Sequence, residues 1–180
     1  MALHRQSSFA GSDMIPALFL DRDGVINGLI GNRPPWTPNE VRLLPGVSEA
    51  LAQVPLDIPI VIITNQPDAK RGKASQEDLF RVMRRIVTAL PITSAYACWH
   101  DEADRCWCRK PSPGMIYLAC AQHNISPQCS VLVGDRSSDI EAGKLAGCKT
   151  VAVGESLPIS AVEADHSCCD LLAAMPWILE

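Results

Sequence analysis

Short apolar runs alternate with amphipathic segments along most of this chain, and that alternation is what most limits its possible folds. The first run covers residues 17–20, and each later run is also short enough to be a buried strand. Between the runs, apolar residues recur at helical spacing, as at Leu79, Val82, Met83 and Ile86. Strands that alternate with helices predict an α/β fold with a mostly parallel sheet, flanked by helices on both faces.

The alternation can be followed element by element. Strands are expected at residues 17–20, 58–63, 93–98, 130–133 and 149–153, with helices at 47–53, 75–90, 113–123 and 137–146. Ser75 followed by Asp78 is a capping pattern, and Gly147 is typical of a residue that ends a helix. The 180 residues suffice for one domain, predicted at 14–180 after a flexible tail at 1–13.

Composition excludes several classes of function. Aromatic residues make up 5% of the chain, too few for a surface that stacks nucleic-acid bases. A formal net charge of −4 argues against general affinity for nucleic acid or membranes, so local cations must bind any anionic substrate. No apolar run approaches the length of a membrane span, and the first residues lack a signal-peptide core. A cytoplasmic protein is expected.

Two carboxylates, Asp21 and Asp23, directly follow the first predicted strand. The crevice at the carboxyl end of such a strand is where open α/β sheets bind ligands. The two acids repel each other unless a cation lies between them, and Mg²⁺ prefers oxygen ligands. One carboxylate can then act as a nucleophile while the other moves protons. The alternative for this fragment alone is a turn with two solvated acids.

Three further polar motifs follow later elements. Thr64 ends the second strand and can hold a phosphate oxygen, while Lys110 can neutralise a phosphate together with the nucleophile. Asp135 ends the fourth strand and would complete a carboxylate cage for the metal, with Asp139 available through water or as an outer ligand. Each motif alone has an ordinary explanation, such as a surface lysine. Their shared position at one edge of the sheet favours a common site.

Four metal-binding side chains lie within residues 98–108. Cys98, His100, Cys106 and Cys108 suit a closed, tetrahedral and therefore structural Zn²⁺ site. The alternatives are free thiols beside a surface histidine, or a redox pair, which the missing two-residue spacer disfavours. The loop tip between the ligands is expected to be solvated, with the charged residues Asp101, Glu102, Asp104 and Arg105.

In their order and context, these motifs resemble those of the haloacid-dehalogenase phosphatase superfamily over about residues 17–153. The resemblance implies that Asp21 is the nucleophile that forms an aspartyl-phosphate. It implies that Asp23 is the general acid and base and offers its backbone carbonyl to Mg²⁺. It further implies that Thr64 and Lys110 bind the transferring phosphoryl group, and that Asp135 ligates the metal.

The cysteine-histidine loop is similar to that of a small branch of this superfamily, whose Rossmann-like fold has no separate cap domain. The branch includes heptose-bisphosphate phosphatases and histidinol-phosphate phosphatases. Residues 64–66 and 70–72 look more like the former, and the five-residue gap between His100 and Cys106 looks more like the latter. The resemblance implies that substrate is bound by Asn65, Gln66, Arg109 and Arg136.

We therefore expect a monomeric, Mg²⁺-dependent phosphomonoesterase that acts on a small phosphorylated metabolite. D-glycero-D-manno-heptose 1,7-bisphosphate, losing its 7-phosphate, is the first candidate substrate and histidinol phosphate the second. Lys70 and Arg71 are expected to be surface charges that could also meet a second phosphate. A non-catalytic, zinc-stabilised binding domain is the alternative from another class, but such a domain has no physical reason to keep Asp21 and Asp23 together.

Overall fold

A computed structural model describes residues 14–154 and 163–180. The flexible tail predicted at residues 1–13 lies outside the described residues. In the described part of the chain, no helix combines the length and apolar character needed to cross a membrane.

Within the described residues, six strands form one parallel sheet. They are β1 (Leu18–Leu20), β2 (Ile60–Asn65), β3 (Ser94–Cys98), β4 (Val131–Gly134), β5 (Lys149–Val153) and β6 (His166–Cys168). Their spatial order is β3-β2-β1-β4-β5-β6, with every neighbouring pair parallel. The chain runs outward from β1 in one direction and then restarts at β4 in the other. The carboxyl ends of β1 and β4 thus form a switch point, where doubly wound sheets bind ligands.

Helices cover both faces of the sheet. They are α1 (Val47–Leu51), α2 (Gln76–Ala89), α3 (Gly114–His123), α4 (Ser137–Ala146) and α5 (Leu171–Ile178). Leu18 and Leu20 of β1 face a core shared with α1, α2 and α5. Phe19 points the other way, into a core shared with α3 and α4. Because both faces are buried, the strands are continuously apolar rather than alternating.

The predicted fold class is confirmed, and the predicted elements differ from the observed ones by at most two residues at each end. Two elements were missed, β6 and α5. Strand β6 has only three residues, mostly polar, which is too short to show the alternation or the apolar run that identifies a strand in a sequence. The helix is apolar throughout and contains Pro176, so it shows neither a polar face nor an uninterrupted helical pattern.

Local signals at two helix ends act as predicted. The Ser75 hydroxyl accepts a hydrogen bond from the Asp78 backbone N–H at 3.0 Å. Gly147 ends α4 with φ of +90°, a left-handed conformation that favours glycine.

We expect Ser75→Ala to lower the free energy of unfolding by about 1 kcal/mol, since it leaves a helix N-terminal N–H without an acceptor. Urea denaturation measures this change. Ser75→Asp keeps an accepting oxygen at the same place and should cost much less. Equal losses in the two variants would contradict a capping role for Ser75.

Candidate active site

A buried lysine at the carboxyl edge of the sheet joins the loop after β1, strand β2 and the start of α4. Lys110 Nζ donates to Asp21 Oδ1 at 2.7 Å after β1 and to the Ile63 carbonyl at 2.8 Å in β2. It also contacts Asp139 Oδ1 at 2.6 Å, in the first turn of α4. The lysine residue is 5% exposed. Burial acts to lower its pKa, but Asp139 and Asp21 outweigh that effect and raise the pKa of Lys110, so the ammonium stays charged.

Three carboxylates crowd around this ammonium. Asp21, Asp135 and Asp139 each offer an oxygen, and these atoms lie within 4.8 Å of one another. Burial raises the pKa of Asp135 to about 7, with further contributions from Asp21 and Asp139. Asp135 Oδ1 is buried without a hydrogen-bond partner. One ammonium does not balance three carboxylates, so the donor set fits a hard divalent cation such as Mg²⁺.

Gly24 allows Asp135 to approach the loop after β1. Its φ is +90°, and a Cβ there would lie 2.1 Å from Asp135 Oδ2. Both conformation and space therefore require glycine at this position. The glycine after the acid pair is part of what lets the β1 and β4 loops share one site.

Asp23 has different surroundings from Asp21. Its carboxylate accepts two hydrogen bonds from Arg22 Nη2 at 2.7 and 2.9 Å, and one from Gln66 Nε2 at 2.6 Å. Asn27 Nδ2 donates a further bond at 2.9 Å. Arg22 is fully buried, which is unusual for an arginine and is explained by this pairing. These donors fix the orientation of Asp23 at the wall of the cavity.

The polar residues at the carboxyl end of β2 and just after it mainly support their neighbours. The Asn65 side-chain amide bonds both backbone groups of Lys110, donating to its carbonyl at 3.0 Å and accepting from its N–H at 3.1 Å. Gln66 Nε2 also donates to Thr64 Oγ1 at 3.0 Å. Gln66 is only 1% exposed and was expected to bind substrate. Its amide nitrogen donates to Asp23 and Thr64, and its contact with substrate stays a prediction.

The predicted zinc ligands come together. The sulfur atoms of Cys98, Cys106 and Cys108 lie 3.4–3.6 Å from one another, and His100 Nδ1 is 3.3 Å from Cys108 Sγ. A tetrahedral ion with metal–sulfur bonds of about 2.3 Å needs sulfur separations of roughly 3.8 Å, so the cluster is close to that geometry. Gly114 packs against this loop, because a Cβ there would lie 2.3 Å from the Trp107 carbonyl oxygen.

Ion pairs link the loop tip to the segment after β2. Arg71 donates twice to Asp101, each time at 2.6 Å, and Lys70 pairs with Asp104. The Arg71 hydrogen bond holds the pKa of Asp101 well below its usual range. The loop tip is solvent-exposed as expected, and these two ion pairs additionally tie Asp101 and Asp104 to the segment after β2.

A cavity of about 540 Å³ opens in front of Asp21, Asp23 and Lys110. Arg109, expected to bind substrate, lines it and donates to the His100 carbonyl at 3.2 Å. Arg136 also lines it, with 63% of its side chain exposed. The wall carries cations from several loops, namely Arg33, Arg71, Lys73, Arg105, Arg109 and Arg136. This charge suits an anionic ligand.

Three residues of the site were not identified from the sequence. Arg22, next to Asp23 in the sequence, could have been recognised as the counter-charge of that acid. Asp68 and Trp36, joined by a hydrogen bond of 2.8 Å from the indole Nε1 to Asp68 Oδ2, are 32 positions apart. No local pattern predicts a pairing over that distance.

Comparisons with known proteins agree with this geometry. A family model described as HAD-hydrolase-like matches residues 107–165. The D-glycero-alpha-D-manno-heptose-1,7-bisphosphate 7-phosphatase of Mycobacterium tuberculosis is 34% identical, covering 76% of this chain and 78% of that protein. The corresponding beta enzyme of Pasteurella multocida is 33% identical, covering 82% and 86%. A crystal structure of D,D-heptose 1,7-bisphosphate phosphatase from B. bronchiseptica, complexed with magnesium and phosphate, is 28% identical. It superposes with a TM-score of 0.79, covering 92% of this chain and 98% of that one.

We expect Asp135→Asn to stabilise the metal-free protein at pH 8 by several degrees of melting temperature. The pKa of Asp135 is about 7 in the folded protein, above its ordinary value of 3.8. Ionised Asp135 therefore lowers the free energy of unfolding, an effect that is absent below about pH 4 and complete above about pH 7. Thermal melts without metal, at pH 4 and pH 8, measure the difference. Mg²⁺ should raise the wild-type melting temperature but not that of the variant. An equal Mg²⁺ effect in both would contradict the carboxylate site.

Proposed function

The chain belongs to the heptose-1,7-bisphosphate 7-phosphatases among the HAD-like hydrolases, and we propose that its own substrate is D-glycero-D-manno-heptose 1,7-bisphosphate, from which it removes the 7-phosphate. The observation that carries the proposal is the cluster of Asp21, Asp139 and Asp135 around Lys110, at the base of a cavity walled by cations. Phosphoryl transfer depends on positioning and charge neutralisation, and this cluster supplies both.

Asp21 is the nucleophile in this proposal. Lys110 holds its Oδ1, which leaves Oδ2 to attack phosphorus as the bond to the sugar oxygen breaks. The product is an aspartyl-phosphate, which a water molecule then hydrolyses to release phosphate and restore the carboxylate. Bound Mg²⁺, held by Asp21, Asp135 and the backbone carbonyl of Asp23, would neutralise charge on the phosphoryl oxygens, with Asp139 in support.

Asp23 and Thr64 assist this transfer. Asp23 gives a proton to the leaving sugar oxygen and later takes one from the attacking water. Arg22 and Gln66 keep its carboxylate in place for both steps. Because Gln66 donates to Thr64 Oγ1, the hydroxyl hydrogen of Thr64 remains available for a phosphate oxygen.

Arg109 and Arg136 supply the substrate contacts beyond the transferring group, together with the exposed part of Asn65. Arg109 lines the cavity, follows the zinc loop by one residue and directly precedes Lys110, which supports a role for its guanidinium in binding the substrate. A planar guanidinium suits the second phosphate of a bisphosphate. Cytoplasmic location and a monomeric state stay predictions.

A phosphate-release assay tests the proposed function. Wild-type protein with Mg²⁺ should hydrolyse the heptose bisphosphate with higher kcat/KM than histidinol phosphate or p-nitrophenyl phosphate. Asp21→Asn should lose turnover on every substrate while its circular dichroism stays that of the wild type, since an amide cannot attack. Preference for histidinol phosphate would contradict the substrate, and variant activity within about tenfold of wild type would contradict the nucleophile.

We also propose that Cys98, His100, Cys106 and Cys108 hold one structural Zn²⁺. The support is the near-tetrahedral arrangement of three sulfur atoms and one nitrogen, with no carboxylate among them. Held this way, the loop would keep Arg109 against the substrate, because Arg109 bonds the carbonyl of His100.

Purified protein should contain one equivalent of zinc that remains after removal of Mg²⁺ by mild chelation. Cys106→Ala should lose that zinc, melt at a lower temperature and show a raised KM, since metal binding also stabilises the folded loop. Cys129→Ala, outside the cluster, is the control and should keep its zinc. Elemental analysis without zinc in the wild type would refute the assignment.

A further inference from the structure

One buried carboxylate of the cavity, that of Asp68, has no role in the proposed phosphoryl transfer. Asp68 lies in the segment after β2, is 6% exposed and lines the same cavity as Asp21 and Lys110. Trp36 donates its indole N–H to Asp68 Oδ2 at 2.8 Å. Among the described residues, no other side chain donates a hydrogen bond to this carboxylate. Asp68 Oδ1 therefore keeps its acceptor capacity.

The nearby cations do not neutralise Asp68 by direct contact. The charge of Asp68 interacts electrostatically with Arg33 and Arg71 and contributes to raising the pKa of each. Arg33 is nevertheless bonded to Glu40 at 2.6 Å, and Arg71 to Asp101. Because Asp68 lines the cavity, the further donors that its carboxylate can accept from must come from water or from a bound ligand.

The charge of Asp68 limits which ligand group can meet it. A phosphate dianion has no proton to donate and is repelled by a carboxylate. A sugar hydroxyl donates readily, and its hydrogen bond to an ionised acceptor is a strong one. Asp68 belongs to a part of the cavity wall whose charged residues are mostly cations, and an acid there suits a neutral, hydroxyl-bearing part of the ligand better than a phosphate.

We infer that Asp68 is a specificity-determining residue, accepting hydrogen bonds from hydroxyl groups of the sugar that carries the scissile phosphate. This inference rests on the proposed function, because it assigns the sugar portion of that substrate to a place in the cavity. On this inference, Asp68 makes a site rich in arginine and lysine favour a sugar phosphate over a phosphate ester without hydroxyl groups.

A purely structural role, in which Asp68 holds Trp36 in place, is the competing explanation. Trp36 has other restraints, since its backbone N–H donates to Glu40 Oε2 at 2.8 Å and the Arg33 guanidinium lies 4.1 Å from the centre of its ring. The loop thus holds Trp36 without Asp68. Trp36 in turn orients Asp68, which leaves the free oxygen for a ligand.

Two variants separate these explanations. Asp68→Asn keeps a carbonyl oxygen that can accept from the indole but replaces the second oxygen with a donor and removes the charge. Trp36→Phe removes the indole donor and keeps the carboxylate. kcat/KM is measured for wild type and both variants with heptose 1,7-bisphosphate, hexose and pentose phosphates, and p-nitrophenyl phosphate, which has no hydroxyl groups.

For the best sugar phosphate, Asp68→Asn should lower kcat/KM by about 10- to 100-fold. With p-nitrophenyl phosphate it should stay within about threefold of wild type, and Trp36→Phe should change both values by less than about fivefold. Equal losses on both substrates, no loss on either, or a sugar-phosphate loss in Trp36→Phe as large as in Asp68→Asn would each overturn the inference.

The wild-type rates test the proposed function separately. If wild type hydrolyses other sugar phosphates but not the heptose bisphosphate, the proposed substrate is wrong, and Asp68 is still judged on the sugar phosphate that is hydrolysed. If it hydrolyses the heptose bisphosphate and Asp68→Asn does so equally well, only the role of Asp68 is wrong. Wild-type hydrolysis of p-nitrophenyl phosphate without any sugar phosphate would overturn both.

Discussion

A buried ammonium group holds the functional edge of this protein together. Lys110 Nζ lies among Asp21, Asp139 and the Ile63 carbonyl, each on a different strand or helix end, at distances of 2.6–2.8 Å. Removing a lysine from water is costly, and these partners repay that cost. Because three carboxylates share the place, the same cluster also favours a divalent cation. The contacts of Lys110 therefore hold these segments together and also create the electrostatic field that phosphoryl transfer needs.

The cavity in front of this cluster is built from loops that contact one another as well as the sheet. The long loop after β1 reaches the segment after β2 through Trp36 and Asp68, and that segment reaches the cysteine-rich loop through Arg71 and Asp101. Arg109 closes the series by bonding the His100 carbonyl. The described residues include no separate cap domain, and loops linked in this way can enclose a small substrate, with each link placing a charged side chain on the wall.

The sequence predicts those parts of the site whose positions the sheet itself determines. Asp21, Thr64 and Asp135 follow apolar runs directly, and in a parallel sheet such positions meet at one edge. Cys98 and Cys108 are close along the chain, so their cluster is visible in the spacing. The pairing of Arg22 with Asp23 and the buried position of Gln66 depend on side-chain direction, which periodicity does not encode.

Contacts between distant loops were the other part that sequence did not predict. Asp68 meets Trp36, and Asp104 meets Lys70, across gaps in the sequence that carry no shared pattern. The last helix, Leu171–Ile178, was missed for a different reason, because a segment apolar on all sides shows no amphipathic period. The position of the site at the sheet edge thus follows from the fold, and the wall of the cavity depends on pairing between loops.

The covalent role of Asp21 is the central claim, and trapping the aspartyl-phosphate tests it most directly. Protein mixed with Mg²⁺ and substrate is quenched in acid during turnover and reduced with borohydride, which converts an acyl phosphate to the corresponding alcohol. Mass spectrometry of the peptide that spans residue 21 should then find homoserine at that position only when substrate was present. Reduction at Asp23, or an unmodified peptide from protein trapped during rapid turnover, would contradict the account.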